Sequence, residues 1–247
     1  MSHEQISIRT PDGECPAHVF TPAGEGPWPP AIIYMDALAI RPTLLDMGQR
    51  LADAGYVVLL PDLFYRYGPY APLVPKDVFA SAEARAVLGP MMRSTDGRRA
   101  AEDTAAFLTR IDSRRDVAGR KVGVVGYCMG GALALAAAAA FPDRIAAAAS
   151  FHGGNLVTDA ADSPHLLAPR IKARVYVAGA DRDAHYPPEM AERLDDALTA
   201  AGVDHRCEIY EGALHGWTMA DVPVFNPDAA ERHWRELLRL FGETLPA

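Results

Sequence analysis

The sequence has little of what would place it in an oxidising compartment, in a membrane or on a nucleic acid. Its three cysteines, Cys15, Cys128 and Cys207, are an odd number at distant positions, which offers neither a disulfide framework nor paired zinc-ligand spacing. The most apolar stretch, Ala132 to Phe141, is too short to span a bilayer. No basic and then apolar leader opens the chain, which predicts a cytoplasmic protein without a membrane partner.

Clustered positive charge is also missing. The formal net charge is -8, and no run of Lys and Arg is interleaved with aromatic residues, so we expect no nucleic-acid partner. Hydrophobic residues make up 49% of the chain and charged residues 23%, which is typical of a globular protein with a substantial core.

What the sequence does contain is an alternation of short apolar runs and helical patterns. Residues 6–9 and 17–20 flank a Pro-Asp-Gly-Glu turn and predict an opening hairpin. The alternation continues to an amphipathic helix from about Pro227 to Glu243. It predicts an α/β fold with a mostly parallel central sheet and helices on both faces, and residues 1–247 as a single domain. The predicted parallel strands are 31–35, 56–60, 122–125, 145–151, 174–178 and 205–210.

One short motif predicts a nucleophile. Residues 126–131, Gly-Tyr-Cys-Met-Gly-Gly, lie between an apolar strand and an alanine-rich helix, which places Cys128 on a sharp strand-to-helix turn. Gly126 and Gly130 leave room for the tightly packed backbone on either side. A thiol near a helix N-terminus and a histidine can be held as a thiolate, which attacks activated carbonyls.

The residues that follow later strands supply a base and an acid. His215, in the loop after the strand ending at Tyr210, is positioned to take the thiol proton and return one to the leaving group. We favour Asp183 as its partner because it lies four residues before Pro187, where the next helix begins, and Asp181 is the alternative. The order of nucleophile, acid and histidine is that of an α/β-hydrolase fold.

The other candidate residues are two oxyanion donors and several histidines. The amide of Met129, directly after the nucleophile, and that of Ala37, in the loop after the third strand, are the predicted oxyanion donors. We assign structural or surface roles to four other histidines, His152, His165, His185 and His205.

Together, residues 126–131, the Asp and His elements and the segment Pro61 to Arg66 resemble the dienelactone hydrolase family of α/β-hydrolases over most of the chain. The resemblance implies a hydrolase of carboxylic esters, of the carboxymethylenebutenolidase type, that opens a small-molecule ester or lactone. It implies that Cys128 forms an acyl-enzyme with the help of His215 and Asp183, that water releases the acid, and that no cofactor is required. The sequence has no H-E-x-x-H motif and no clustered His and carboxylate spacing, so we expect no metal site.

The resemblance also suggests two substrate-binding residues. Asp36 matches a family glutamate that contacts the resting thiol, and Arg66 matches an arginine that binds a substrate carboxylate, although an ordinary surface role fits Arg66 equally well. The chain departs from the family where Asp36 is the shorter acid and where Met219 replaces a second arginine. These departures favour an ester or lactone with a smaller anionic group or none.

Several alternatives stay open. The same site could transfer its acyl group to a thiol or alcohol or cleave a thioester, or the chain could be a non-catalytic binding protein whose Cys128 senses oxidants. The segment from Tyr65 to Asp96 could line a pocket or pack as ordinary core. The subunit count is predicted only as a monomer or a small homo-oligomer.

Overall fold

The computed structural model describes residues 2–245, in which eight strands form one sheet of order β1-β2-β4-β3-β5-β6-β7-β8. The strands are β1 (Ser2–Thr10), β2 (Gly13–Thr21), β3 (Pro30–Tyr34), β4 (Val57–Pro61), β5 (Val122–Tyr127), β6 (Ile145–Phe151), β7 (Arg174–Ala180) and β8 (His205–Tyr210). The helices are α1 (Pro42–Asp53), α2 (Pro75–Val78), α3 (Ala82–Arg85), α4 (Leu88–Met92), α5 (Gly97–Asp112), α6 (Met129–Ala140), α7 (Pro164–Leu167), α8 (Pro188–Ala200) and α9 (Pro227–Thr244), with a short 3-10 turn at Ala168–Arg170.

The sheet is mostly parallel, as predicted. The hairpin of β1 and β2 is antiparallel and joins the sheet through an antiparallel pairing of β2 with β4, whereas β4, β3, β5, β6, β7 and β8 run parallel. Every residue of β3, β4 and β5 is buried, because helices cover a parallel sheet on both sides. The hairpin strand β1 instead exposes most of its residues.

Helices pack on opposite faces of the central strand β5. A Cβ at Gly123 would meet Phe241 of α9, and Tyr127 contacts His233 of the same helix, whereas a Cβ at Gly126 would meet the backbone of α6. Alternate residues of a strand point to opposite faces, so α6 and α9 lie on different sides of the sheet. The predicted arrangement of helices on both faces is therefore confirmed.

The sheet brings the candidate functional residues together at the carboxyl-terminal ends of its parallel strands. The parallel strands all end on the same side, so the loops that follow β3, β5, β6, β7 and β8 converge there. Among residues 2–245, no helix has both the length and the apolar character needed to cross a membrane.

Candidate active site

The strand-to-helix turn at Cys128 has the sharp geometry that its sequence predicted. Cys128 links β5 directly to α6 with φ 53° and ψ -117°, a backbone conformation that is unfavourable for a residue with a side chain. A Cβ on Gly126 would lie 1.9 Å from the carbonyl oxygen of Gly130, and a Cβ on Gly130 would lie 2.1 Å from that of Tyr34. Both glycines are sterically required, and the turn leaves Cys128 half-buried at the N-terminal end of α6.

His215 lies between the thiol and a buried carboxylate. Its Nδ1 is 2.6 Å from Oδ2 of Asp183, and its ring is within interaction range of Cys128. The second oxygen of Asp183 accepts a 2.8 Å hydrogen bond from the amide of His185. The Asp183 side chain is only 1% exposed, so both of its oxygens are fixed by the protein.

The electrostatics favour a charged imidazole ring. Burial opposes protonation of His215, but the hydrogen bond to Asp183 and the contact with Cys128 outweigh burial and raise its pKa to about 10. Burial likewise acts to raise the pKa of Asp183, but the hydrogen bond with His215 outweighs it and leaves that pKa lowered. The arrangement can therefore hold an imidazolium between an acid and a sulfur.

The two candidate acids occupy different places. Oδ2 of Asp181 accepts a 3.2 Å hydrogen bond from the amide of Gly212 and lies 3.6 Å from the exposed guanidinium of Arg182. His215 donates its described Nδ1 hydrogen bond to Asp183, the acid that the sequence favours.

Cys128 and His215 open into a cavity of about 840 Å³. Met219, at the position of the missing second arginine, lines it. The segment from Tyr65 to Asp96 is part pocket lining and part core. Phe79, Leu88 and Met92 line the cavity, whereas Met91 is fully buried in the core. The reactive groups thus face a large, mainly apolar space.

Residues 15–245 match the sequence profile of the dienelactone hydrolase family. This chain belongs to the dienelactone hydrolase family. It is 28% identical over 231 residues to a carboxymethylenebutenolidase from Pseudomonas putida, an alignment that covers 93% of this chain and 92% of that one. Family membership confirms the predicted enzyme class, a hydrolase of carboxylic esters or lactones.

Solved structures confirm the α/β-hydrolase fold of this dienelactone hydrolase family member. A dienelactone hydrolase-like promiscuous phosphotriesterase from metagenomic libraries superposes with a TM-score of 0.79 at 22% identity, covering 99% of both chains. A dienelactone hydrolase from Anabaena variabilis gives a TM-score of 0.70 at 19% identity, also over 99% of both chains.

The structure places Asp36 in an ion pair. Its two oxygens accept hydrogen bonds of 2.7 and 3.0 Å from Arg41, and Oδ1 also accepts one from the amide of Leu38. Arg41 is buried and donates in turn to Asp221. Among the described hydrogen bonds of Asp36, none reaches Cys128, because the short side chain is held by the arginine. Asp36 lines the cavity together with Cys128, and its expected contact with the resting thiol stays a prediction.

Arg66 lies outside the cavity lining. Its Nε donates to Asp12 at 2.6 Å, its two terminal nitrogens donate to Asp103 at 2.8 and 2.7 Å, and its guanidinium stacks on the Tyr65 ring. Asp103 is fully buried. The whole fork is committed to two carboxylates, which favours a structural role for Arg66, and its binding of a substrate carboxylate stays a prediction.

The assignment of the Met129 and Ala37 amides as oxyanion donors stays a prediction. Met129 and Ala37 line the same cavity as Cys128. The Met129 amide belongs to the first turn of α6, where backbone N–H groups have no acceptor within their own helix. The loop that carries Ala37 is fixed because the amides of Leu38 and Ala39 both bond to Asp36.

His152 is closer to the site than the sequence analysis expected. Its ring is fully buried, lies edge-on to His215 at 5.2 Å and to Trp217 at 5.0 Å between centroids, and has Nε2 2.7 Å from Oγ1 of Thr218. Burial lowers its pKa well below the ordinary value, so the ring is neutral. The sequence signal for this placement was its position directly after β6, at the edge where the strands end.

A possible ligand set for a metal lies elsewhere. Between α8 and β8, the ligand atoms of Asp195, His205 and Cys207 all lie within 4.8 Å of one another, the one such trio in the described part of the chain. None of the three residues lines the cavity that contains Cys128. The absence of a metal or cofactor requirement stays a prediction.

Proposed function

We propose that this protein hydrolyses a small ester or lactone through the triad of Cys128, His215 and Asp183 and an acyl-cysteine intermediate. The observation that carries the proposal is the convergence of the three groups, with His215 and Asp183 joined at 2.6 Å and with Cys128 and His215 both lining a large cavity. A thiol that only senses oxidants has no need of a buried acid behind the histidine.

In the proposed first half-reaction, the Cys128 thiolate attacks the carbonyl carbon and forms a carbon–sulfur bond. The amides of Met129 and Ala37 receive the negative charge that develops on the carbonyl oxygen. His215, held as imidazolium by Asp183, gives its proton to the leaving alkoxide oxygen as the ester bond breaks.

In the second half-reaction, the now neutral His215 takes a proton from water, and the resulting hydroxide attacks the thioester carbonyl. The carbon–sulfur bond breaks, the carboxylic acid leaves, and the thiolate and imidazolium are restored. In a lactone the alcohol and the acid are parts of one product molecule.

The cavity favours a substrate without a strong anionic group near the reacting bond. Met219 lines the cavity where the resemblance places an arginine, and Arg66 is occupied by Asp12 and Asp103. A dicarboxylate-like lactone would therefore lack two charge-assisted hydrogen bonds.

The test compares hydrolysis of p-nitrophenyl acetate by the wild type and by Cys128→Ala. Removing the nucleophile is expected to lower kcat/KM by about a thousandfold or more, and intact-mass spectrometry is expected to show an acetyl adduct on the wild type alone. Cys207→Ser is the matched control, because that half-buried thiol on β8 lies outside the cavity lining.

Two outcomes would count against the proposal. Wild-type turnover by Cys128→Ala would exclude catalysis by this sulfur, and an ester formed with an added alcohol in place of free acid would assign the site to acyl transfer.

A further inference from the structure

The cavity extends well beyond the space that the reaction at Cys128 requires. Met129, Ala132, Leu133 and Ala136 of α6 all line it, and their spacing puts them on one face of the helix. Seven residues of α-helix rise about 10 Å, so the cavity follows α6 for about that distance from the nucleophile.

The middle of this space is apolar. Ala132 and Leu133 of α6 line it together with Leu88 and Met92 of the short helix α4. Such walls offer no partner for a charged or hydrogen-bonding group, and they favour a hydrocarbon chain or ring.

The distal end is polar and carries an unsatisfied hydroxyl. Thr95 lines the cavity, is 6% exposed, and its buried Oγ1 has no hydrogen-bond partner among the described residues. A buried hydroxyl without a partner is costly, and a ligand that supplies the partner recovers that cost.

A carboxylate lies at the same end. The position of a Cβ on Gly97 would be 3.4 Å from the Cβ of Ala136 and 3.8 Å from Oδ2 of Asp162. The end of the α6 face, the start of α5 and Asp162 therefore meet in one place, two residues along the chain from Thr95.

The donor and acceptor properties of these two residues select the ligand group. A carboxylate only accepts hydrogen bonds, and a threonine hydroxyl can donate or accept. A substrate hydroxyl satisfies both, whereas a substrate carboxylate would be repelled by Asp162 and by Asp96, which also lines the cavity. Apart from His215 beside the nucleophile, the one cation in the described lining is Arg85, which is exposed.

We propose that the cavity takes an uncharged ester or lactone whose apolar body ends in a hydroxyl group about 10 Å from the reacting carbonyl, bound by Thr95 and Asp162. This inference rests on the proposed function, since it assumes that Cys128 attacks the carbonyl. It names the substrate class of that site.

Three methyl esters of equal length test it: those of octanoic acid, of ω-hydroxyoctanoic acid and the monoester of octanedioic acid. The wild type is expected to prefer the hydroxy ester over the plain ester by about tenfold in kcat/KM, which is the value of about one well-made hydrogen bond. The carboxylate-ended ester is expected to be the poorest of the three.

Thr95→Val keeps the side-chain shape and removes the hydroxyl, so the ratio between hydroxy and plain ester is expected to fall toward one. The ratio cancels any general effect on folding or turnover. Asp162→Asn, at an exposed position, is expected to lower the same ratio and to improve the carboxylate-ended ester. Thr109→Val, at an exposed site on α5, is the matched control and is expected to retain the wild-type ratio.

An unchanged ratio in Thr95→Val, or a wild-type preference for the carboxylate-ended ester, would overturn this inference while leaving the proposed function in place. If no ester, including p-nitrophenyl acetate, is hydrolysed by way of Cys128, the proposed function fails and this inference fails with it.

Discussion

Two clusters of charged residues show what distinguishes a reactive site from a structural one in this protein. The triad cluster, Cys128, His215 and Asp183, and the arginine cluster, Arg66, Asp103 and Asp12, both contain contacts of 2.6 to 2.8 Å. Both also join distant parts of the chain. In the triad cluster the series of contacts ends at a sulfur that faces a cavity. In the arginine cluster the guanidinium of Arg66 is paired with carboxylates inside the cluster.

The donors of the arginine cluster are used by contacts within the protein. Arg66 directs its donors at two carboxylates, and the buried Asp103 also accepts a 2.9 Å hydrogen bond from Tyr65. These contacts fasten the turn between β1 and β2 to helix α5. A buried ion pair whose hydrogen-bonding atoms are all used by the protein supports the fold. A group with a reactive atom that faces a cavity is available to a substrate.

The largest expected effect separates two acids in the same loop. Asp183→Asn replaces the carboxylate that orients and charges His215, and it is expected to lower kcat/KM on the order of 10³ to 10⁴-fold, as the loss of a triad acid does elsewhere. Asp181→Asn is the matched control and is expected to stay near the wild type, because Asp181 bonds to Gly212. Steady-state hydrolysis of p-nitrophenyl acetate measures both, and equal losses in the two variants would disprove the assignment of the acid.

A second change tests whether the arginine cluster is only structural. Arg66→Met leaves the buried Asp103 without its cation and is expected to lower the free energy of unfolding by about 3–5 kcal/mol in urea titrations. Arg98→Met, which breaks an exposed pair with Glu102 on α5, is the control and is expected to show no measurable change. A stable Arg66→Met protein with a selective loss of activity toward carboxylated esters would restore the substrate role that the resemblance implied.

The smallest expected effect concerns a histidine that is buried without a catalytic partner. Nδ1 of His233 donates a hydrogen bond to the carbonyl of Ala230, Nε2 of the neutral ring accepts one from the Tyr127 hydroxyl, and burial lowers the pKa of His233 to about 3. The unfolded chain takes up a proton near the ordinary pKa of 6.5, but the folded chain does not until near pH 3. Stability from this group is therefore complete above pH 6.5 and is lost as the pH falls toward 3, by about 1.4 kcal/mol per pH unit.

His233→Gln removes this titration, and urea unfolding between pH 7 and 4.5 should show a shallower acid slope than the wild type. Tyr127→Phe is the matched control, because it removes the hydrogen-bond partner but leaves the buried ring to titrate, so its slope should stay steep. Parallel curves for the wild type and His233→Gln would show that the neutral ring does not contribute to acid sensitivity.

The regular elements could be predicted because their signals are local. Strand β7 was predicted over 174–178 and spans Arg174–Ala180, and the last helix was predicted from about Pro227 to Glu243 and ends at Thr244. Apolar periodicity and turn residues act within a few positions of each other, so they are readable along the chain. The short helices α2 to α4 are each only four or five residues long, below the length at which periodicity defines a helix.

The site was predicted unevenly for a different reason. The position of Cys128 follows from glycines that adjoin it in sequence, whereas the partner of Arg66 is 37 residues away and the partner of Asp36 is an arginine that no motif marks. Pairings of that kind depend on which loops meet at the edge of the sheet. The unsatisfied hydroxyl of Thr95 had no sequence signature for the same reason.

By itself the sequence determined the alternation of strands and helices and the sharp turn that presents a thiol, because steric limits on the backbone and the periodic burial of apolar residues act over short range. The tertiary structure alone decided which carboxylate bonds to His215, which arginine is consumed by an ion pair, and how far the cavity extends along α6. Those outcomes depend on distances between side chains that are remote in the chain, and only the packed sheet brings them together.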